Sequence, residues 1–362
     1  MTDESYIKLA LELAKKGDGN VSPNPLVGCV IIKDERIIGA GCHEKFGSNH
    51  AEINAINSAR ESIEGATLYV NLEPCSHQGK TPPCVDKIIE NKIKKVVVGT
   101  LDMNPLVSGS GVKKLKAAGI EVKVGLLEKE CIELNKFFFK YITKKIPYVS
   151  LKAAQTIDGK IADNTGKSKW ISSTLSRHRV HSLRTKYDAV MVGAGTIRTD
   201  DPRLTVRLTE GRNPKRIVLD SNLELSTKKK IFYENNDKNL ILITTRKNVD
   251  RKRRIKKLNT LGVQILYAKE NRDGKINLRS ALRELAKIQI ASVLVEGGSE
   301  VYTSFVKEGL YDSLFLFISP KILGSGIPFV NNIGISKLNS LRKIKVVNIE
   351  TFDDDILIEY SK

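Results

Sequence analysis

Apolar residues in the first third of the chain change period several times. Tyr6, Leu9, Ala10, Leu13 and Ala14 recur at the spacing of one helix face, with Gly17 placed to end the helix. Two apolar runs, LVGCVII (26–32) and RIIGAG (36–41), then flank Asp34-Glu35 as the strands of a hairpin. A helix from about His50, a strand at ATLYVNL (66–72), a helix from about Cys84 and a strand at KKVVVGT (94–100) follow. The helix GVKKLKAAG (111–119), the strand IEVKVGL (120–126) and a helix around ECIELNKFFFKYIT (130–143) complete the series. Strands with helices interposed predict an α/β domain.

Pro147 follows a lysine pair and precedes a new strand, so the boundary is expected there, dividing 1–146 from 147–362. The second half repeats the alternation with strands at DAVMVG, RIVLD, NLILIT, VQILYA and SVLVEGG. No G-x-G-x-x-G follows an early strand of this half, which argues against an ordinary dinucleotide fingerprint. Gly193 and Gly195 after one strand, and Gly297 and Gly298 between another strand and a helix, permit close backbone approach. A tight turn explains either pair equally well.

Composition adds bounds. The 362 residues, 41% hydrophobic, suffice for two ordinary cores. No apolar run reaches the roughly 18 residues of a membrane span, and the acidic, amphipathic start lacks the character of a secretory signal. The expected compartment is the cytosol. Five cysteines, an odd and sparse set, speak for reduced thiols or a metal and against a disulfide framework. Cys29, Cys42 and Cys131 read as small buried hydrophobes. A net charge of +19 raises nucleic-acid binding, yet the lysines are spread along the chain and interleaved with acids. The densest run, 246–258, fits the solvated face of one helix. The balance equally suits attraction of phosphorylated small molecules.

The two remaining cysteines stand nine apart in EPCSHQGKTPPC, downstream of GCHEKFGSNHAEIN. His50, Cys75 and Cys84 are three ligands of the kind zinc prefers, leaving the fourth tetrahedral position for water. Glu52, separated from His50 by one residue, is a carboxylate placed for general acid/base work without being a ligand. Prolines 74 and 83 precede the cysteines, and amides at a helix start after Cys84 would stabilise thiolates. Singly, His50 fits a helix terminus and Glu52 a first-turn acid favoured by the dipole. Together they spell H-x-E followed by P-C and P-P-C, the signature of the zinc-dependent nucleobase deaminases. The departure is the spacer, eight residues between the cysteines where the usual pattern has two.

That longer form, with PNPLVGCVI upstream and LDMNPLVSGSG downstream, resembles the deaminase half of the bifunctional deaminase-reductases of riboflavin biosynthesis. The resemblance implies a phosphoribosylated diaminopyrimidinone as substrate, surrounded by Asn24, His43, His77, Lys80, Asp102 and Asn104. His43 and Asn104 equally suit loop residues bonded to their own backbone. In the second half LKAAQTIDGKIA, GKSKWIS, HSLRTKYDAVMVGAGTIRTDDPRLTVR and VEGGSEV resemble, in order, the reductase half of the same family. Likeness over nearly the full chain implies a cytidine-deaminase-like α/β/α domain followed by a dihydrofolate-reductase-like α/β domain that uses NADPH. By it, Ala154, Trp170, Thr196, Asp200 and Gly298 contact the cofactor. Ser168, Arg184, Leu204, Arg207 and Glu296 meet the substrate, the two arginines by a fork geometry suited to phosphate. Trp170 and Leu204 also suit plain core packing. Thr156 stands where the family more often has serine, and retains the hydroxyl.

The expected function is therefore two successive reactions, zinc-dependent deamination and NADPH-dependent reduction of a ribosyl to a ribityl group. No membrane or nucleic-acid partner is expected, and the resemblance implies a homodimer. A rival within the superfamily is a tRNA deaminase, which would bind RNA in a salt-sensitive way and leaves the second domain unexplained. A zinc-stabilised binding protein would need four protein ligands, where the motif offers three.

Overall fold

Asp34 and Glu35 both stand at positive φ, 48° and 60°, as a two-residue hairpin turn requires. They join β1 (Gly28–Lys33) antiparallel to β2 (Arg36–Cys42). The computed structural model describes residues 2–77, 82–104, 107–169 and 171–362, in two compact units, Met1–Lys145 and Ile146–Lys362.

In the first unit α1 (Asp3–Ala14) starts at Thr2, whose hydroxyl accepts the Ser5 amide, and carries Asp3 and Glu4 in its first turn. Then come α2 (Ala51–Ser58), β3 (Thr67–Leu72), α3 (Cys84–Glu90), β4 (Lys95–Thr100), α4 (Ser110–Ala117), β5 (Glu121–Val124), α5 (Glu128–Leu134) and α6 (Lys136–Lys144). The sheet runs β2-β1-β3-β4-β5, with β3, β4 and β5 parallel. Alternation along its strands separates two cores. Cys29, Ile31, Leu68, Val70, Val96 and Val98 pack with Ala51, Ala55, Ile88 and Leu115 on one face. Val30, Ile32, Tyr69 and Val97 pack with Tyr6, Ile7, Ala10 and Cys131 on the other. The result is three layers, α/β/α. Cys29, Cys42 and Cys131 are buried.

The helix expected over 130–143 is two helices parted at Asn135. The Asn135 side chain accepts the Leu26 amide at 2.8 Å and donates to the Leu26 carbonyl at 3.0 Å. It thereby ties the α5–α6 junction to the segment that carries Asn24. Likewise α1 stops at Ala14, and Lys15–Gly17 forms a 3-10 turn.

The second unit contains β6 (Tyr148–Thr156), β7 (Lys160–Ala162), α7 (Thr174–Lys186), β8 (Ala189–Gly193), α8 (Ala194–Asp200), β9 (Lys215–Leu219), α9 (Lys230–Tyr233), β10 (Leu240–Thr245), α10 (Lys252–Thr260) and β11 (Gln264–Ala268). It continues with α11 (Leu278–Lys287), β12 (Ser292–Val295), α12 (Ser299–Glu308), β13 (Ser313–Ser319), β14 (Ile327–Pro328), β15 (Lys345–Phe352) and β16 (Asp355–Ser361). Its nine-stranded sheet runs β11-β10-β9-β8-β12-β6-β13-β16-β15. The strands are parallel from β11 to β13, and β16 and β15 close the edge antiparallel. Buried runs such as AVMVG and LILITT belong to parallel strands covered on both faces. The basic stretch 246–258 is not one helix: Arg246–Asn248 is a 3-10 turn, and α10 starts at Lys252. Among the described residues no helix is long and apolar enough to cross a membrane.

Candidate active sites

His50 is the N-cap of α2 but makes no side-chain capping bond, so its ring is free to face the cysteines. Its Nδ1 lies 3.5 Å from Cys75 Sγ and 3.3 Å from Cys84 Sγ. All three donor atoms fall within 4.8 Å of one another. Zinc bonded tetrahedrally at about 2.3 Å to sulfur and 2.0–2.1 Å to nitrogen sets its N and S ligands about 3.5 Å apart, so the donor set fits the ion. Cys84 opens α3, and its amide donates to Cys75 Sγ at 3.3 Å. Hydrogen bonds from the Cys84 thiol and amide, with His50 beside them, hold the Cys75 thiol below its ordinary value. The same thiol contact, then burial, pushes Cys84 upward.

Glu52 sits in the first turn of α2, 3% exposed. Burial, then the charge on Cys75, raises its carboxyl to about 7. A carboxyl that changes charge near neutrality suits proton transfer in both directions.

Around this centre, His43 is buried with Nδ1 2.9 Å from the Asn49 carbonyl, so Nδ1 carries the proton and Nε2 accepts from Asn24 Nδ2 at 3.1 Å. The His43 ring meets His50 edge-on, with centroids 5.4 Å apart. Asp102 Oδ1 accepts the Asn104 amide at 2.8 Å, and burial raises the Asp102 carboxyl. His77 is exposed; Lys80 lies outside the described residues. The sequence reading missed Glu73. Its buried carboxylate accepts the amides of Asp102, Gly109 and Val112 at 3.1, 2.9 and 3.1 Å, fastening the segment that carries Asp102. An acid between the apolar end of a strand and P-C was the available signal.

In the second unit a cavity of about 1620 Å³ opens beside the ends of β6, β8 and β12, larger than the roughly 300–1,000 Å³ of ordinary ligand sites. Ala154, Thr196, Asp200, Gly298, Ser168, Arg184, Arg207 and Glu296 all line it. Leu204 does not; it is buried with φ +58°. Trp170 lies outside the described residues. Thr156 is buried, and its hydroxyl accepts the Lys160 amide at 3.0 Å, holding the β6–β7 turn.

Gly298 caps α12 without a side chain, and a Cβ there would come 3.1 Å from Thr196 Oγ1. Glycine thus keeps the helix start open to a phosphate-bearing ligand. The room and this bare helix start fit a dinucleotide. Ser168 Oγ donates to Asp200 Oδ2 at 3.1 Å. The expected pair of phosphate-binding arginines divides. Arg184 is buried with its fork on Glu296, Nε to Oε1 and Nη2 to Oε2 at 2.7 Å each, and Nη1 on the Thr205 carbonyl at 2.8 Å. Burial alone would raise Glu296, yet the Arg184 charge and bonds hold it below its ordinary value. Arg207 keeps an exposed guanidinium, bonded to Thr205 Oγ1 at 2.8 Å. Lys152, also unforeseen, lines the cavity, and burial lowers its amine.

An α/β/α unit that gathers, among the described residues, three zinc-type donors beside a buried acid belongs to the zinc-binding deaminases, and the second unit joins to it a reductase. The family model for the zinc-binding region of cytidine and deoxycytidylate deaminases matches residues 1–100, and that for the RibD C-terminal domain matches 147–358. The chain belongs to the RibD family, the bifunctional zinc-dependent deaminases and NADPH-dependent reductases of riboflavin biosynthesis. It is 47% identical to the riboflavin biosynthesis protein RibD of Aquifex aeolicus, over 99% of this chain and 98% of that one. With the Escherichia coli RibD it shares 36% identity, covering 99% of each. A crystal structure of a diaminohydroxyphosphoribosylaminopyrimidine deaminase/5-amino-6-(5-phosphoribosylamino)uracil reductase from Thermotoga maritima superposes with a TM-score of 0.87 at 47% identity, over 99% of this chain and 98% of that one. For Acinetobacter baumannii RibD the TM-score is 0.89 at 36% identity, with the same coverage.

Proposed function

We propose that the first unit hydrolyses the ring amine of 2,5-diamino-6-(5-phosphoribosylamino)pyrimidin-4(3H)-one and that the second reduces the ribosyl group of the product, giving 5-amino-6-(5-phosphoribitylamino)uracil. The observation that carries the first step is the gathering of His50, Cys75 and Cys84 around one point with the buried, non-ligating Glu52 in the same helix start. Zinc held there supplies an acidified water at neutral pH. Water adds to the amino-bearing ring carbon, Glu52 takes its proton and returns it to the departing nitrogen, and ammonia leaves as the C–N bond breaks. Asn24 and His43, locked to each other, and Asp102, fixed through Glu73, form a preset wall for the pyrimidine.

NADPH, which Ala154, Thr196, Asp200 and the Gly298 turn would hold, would supply the hydride that ends on C1 of the ring-opened sugar, a solvent proton completing the reduction. Arg207 receives the phosphate, while Arg184 and Glu296 neutralise each other and shape the wall. The proposed assembly is a cytoplasmic homodimer. Glu52→Gln tests the first step: deamination falls by about 10²-fold or more while bound zinc and reduction of pre-deaminated substrate persist. Loss of zinc in that variant would contradict the assignment.

A further inference from the structure

His181 is 5% exposed on α7, one turn before Arg184, so the two side chains leave the same helix face. Its Nδ1 lies 2.8 Å from the backbone amide of Arg207 and 3.4 Å from that of Leu208. Amides only donate, so Nδ1 is the bare nitrogen and the proton resides on Nε2. Arg184 Nη1 grips the Thr205 carbonyl in the same strip. One helix face therefore fastens the segment 205–208 at two points, just after Leu204 turns the chain at φ +58°.

We propose that His181, as the Nε2–H tautomer, is a positioning residue for the reductase substrate's phosphate: it fixes the backbone from which Arg207 reaches the phosphomonoester. This rests on the reading of Arg207 as the phosphate contact. The charged and titratable groups facing the ring are Arg184 and His178 from α7, Arg207 from the following segment and Glu296 from the end of β12. Burial, then the Arg184 and Arg207 charges, hold the imidazole at about 4. It stays neutral at working pH, as acceptance from two amides demands. Protonation would set an N–H against both.

The test is steady-state reduction of the deaminated phosphoribosyl substrate by the zinc-loaded full chain at neutral pH. His181→Leu removes the acceptor, whereas His181→Asn keeps an oxygen near the Nδ1 position. Loss of a bond worth about one decade raises KM about tenfold in His181→Leu, with kcat and NADPH Kd unchanged, and His181→Asn restores most of the affinity. If Arg207→Ala raises KM but His181→Leu does not, the positioning role is overturned and the phosphate reading stands. Should neither substitution raise KM, the phosphate reading fails and takes this inference with it. A joint loss of KM, kcat and NADPH affinity that asparagine does not rescue marks a purely structural histidine. If the leucine variant fails to fold, the ring tautomer of the wild-type protein, read by ¹⁵N NMR, decides: Nε2–H supports the role and Nδ1–H overturns it.

Discussion

Two arginines that look alike in sequence stand in opposite surroundings. Arg184 and Glu296 are a buried, doubly hydrogen-bonded pair, and removing one partner of such a pair leaves the other charge stranded, at a cost of about 3–5 kcal/mol. Arg184→Ala is therefore expected to lower the unfolding midpoint of the second unit sharply, seen by circular dichroism on heating. Arg207→Ala, at an exposed guanidinium, should leave that midpoint within a few degrees and raise the KM of reduction. The His181 imidazole, held at about 4 against an ordinary 6.5, adds an acid dependence. As pH falls the unfolded chain takes the proton first, so stability is whole above 6.5 and drains away towards 4. The thermal midpoint should fall across that window, and His181→Asn should flatten the slope. None of this division was legible in the sequence, because HSLR and PRLTVR show residue types but not which partner saturates which fork. The gathering of His50, Cys75 and Cys84 was legible, since a short motif fixes both the donor types and their closeness to a helix start.

At the scale of elements, the first unit follows its hydrophobic pattern closely. Asp34-Glu35 marks the hairpin, and the strands 67–72 and 95–100 begin within one residue of the expected runs. The pattern failed where a polar side chain outbids the period. Asn135 interrupts an otherwise continuous amphipathic stretch because its amide is engaged with Leu26. Asn135→Ala would strand that part-buried backbone amide, at about 1–3 kcal/mol, and should shorten the half-life of deaminase activity on heating more than that of reductase activity. Equal losses would show that the tie is unimportant. The strands after Val295 also escaped the sequence reading. β15 is largely exposed at a sheet edge, so it lacks the buried run that marks β8 or β10.

At the scale of the whole molecule, two units each carry one site, and the donor set of the first shares no residue with the cavity of the second. Chelating the zinc should end ammonia release and leave reduction of pre-deaminated substrate intact. The surplus of positive charge, +19, fits a protein that receives a phosphorylated substrate twice. The decisive measurement quantifies zinc in the purified protein and follows ammonia release and NADPH oxidation together on the diaminopyrimidinone phosphate. Bound zinc, with ammonia appearing first and NADPH loss following in equal amount, is the expected result. Zinc with neither product would contradict the substrate, and NADPH loss without prior ammonia would contradict the order of the two reactions.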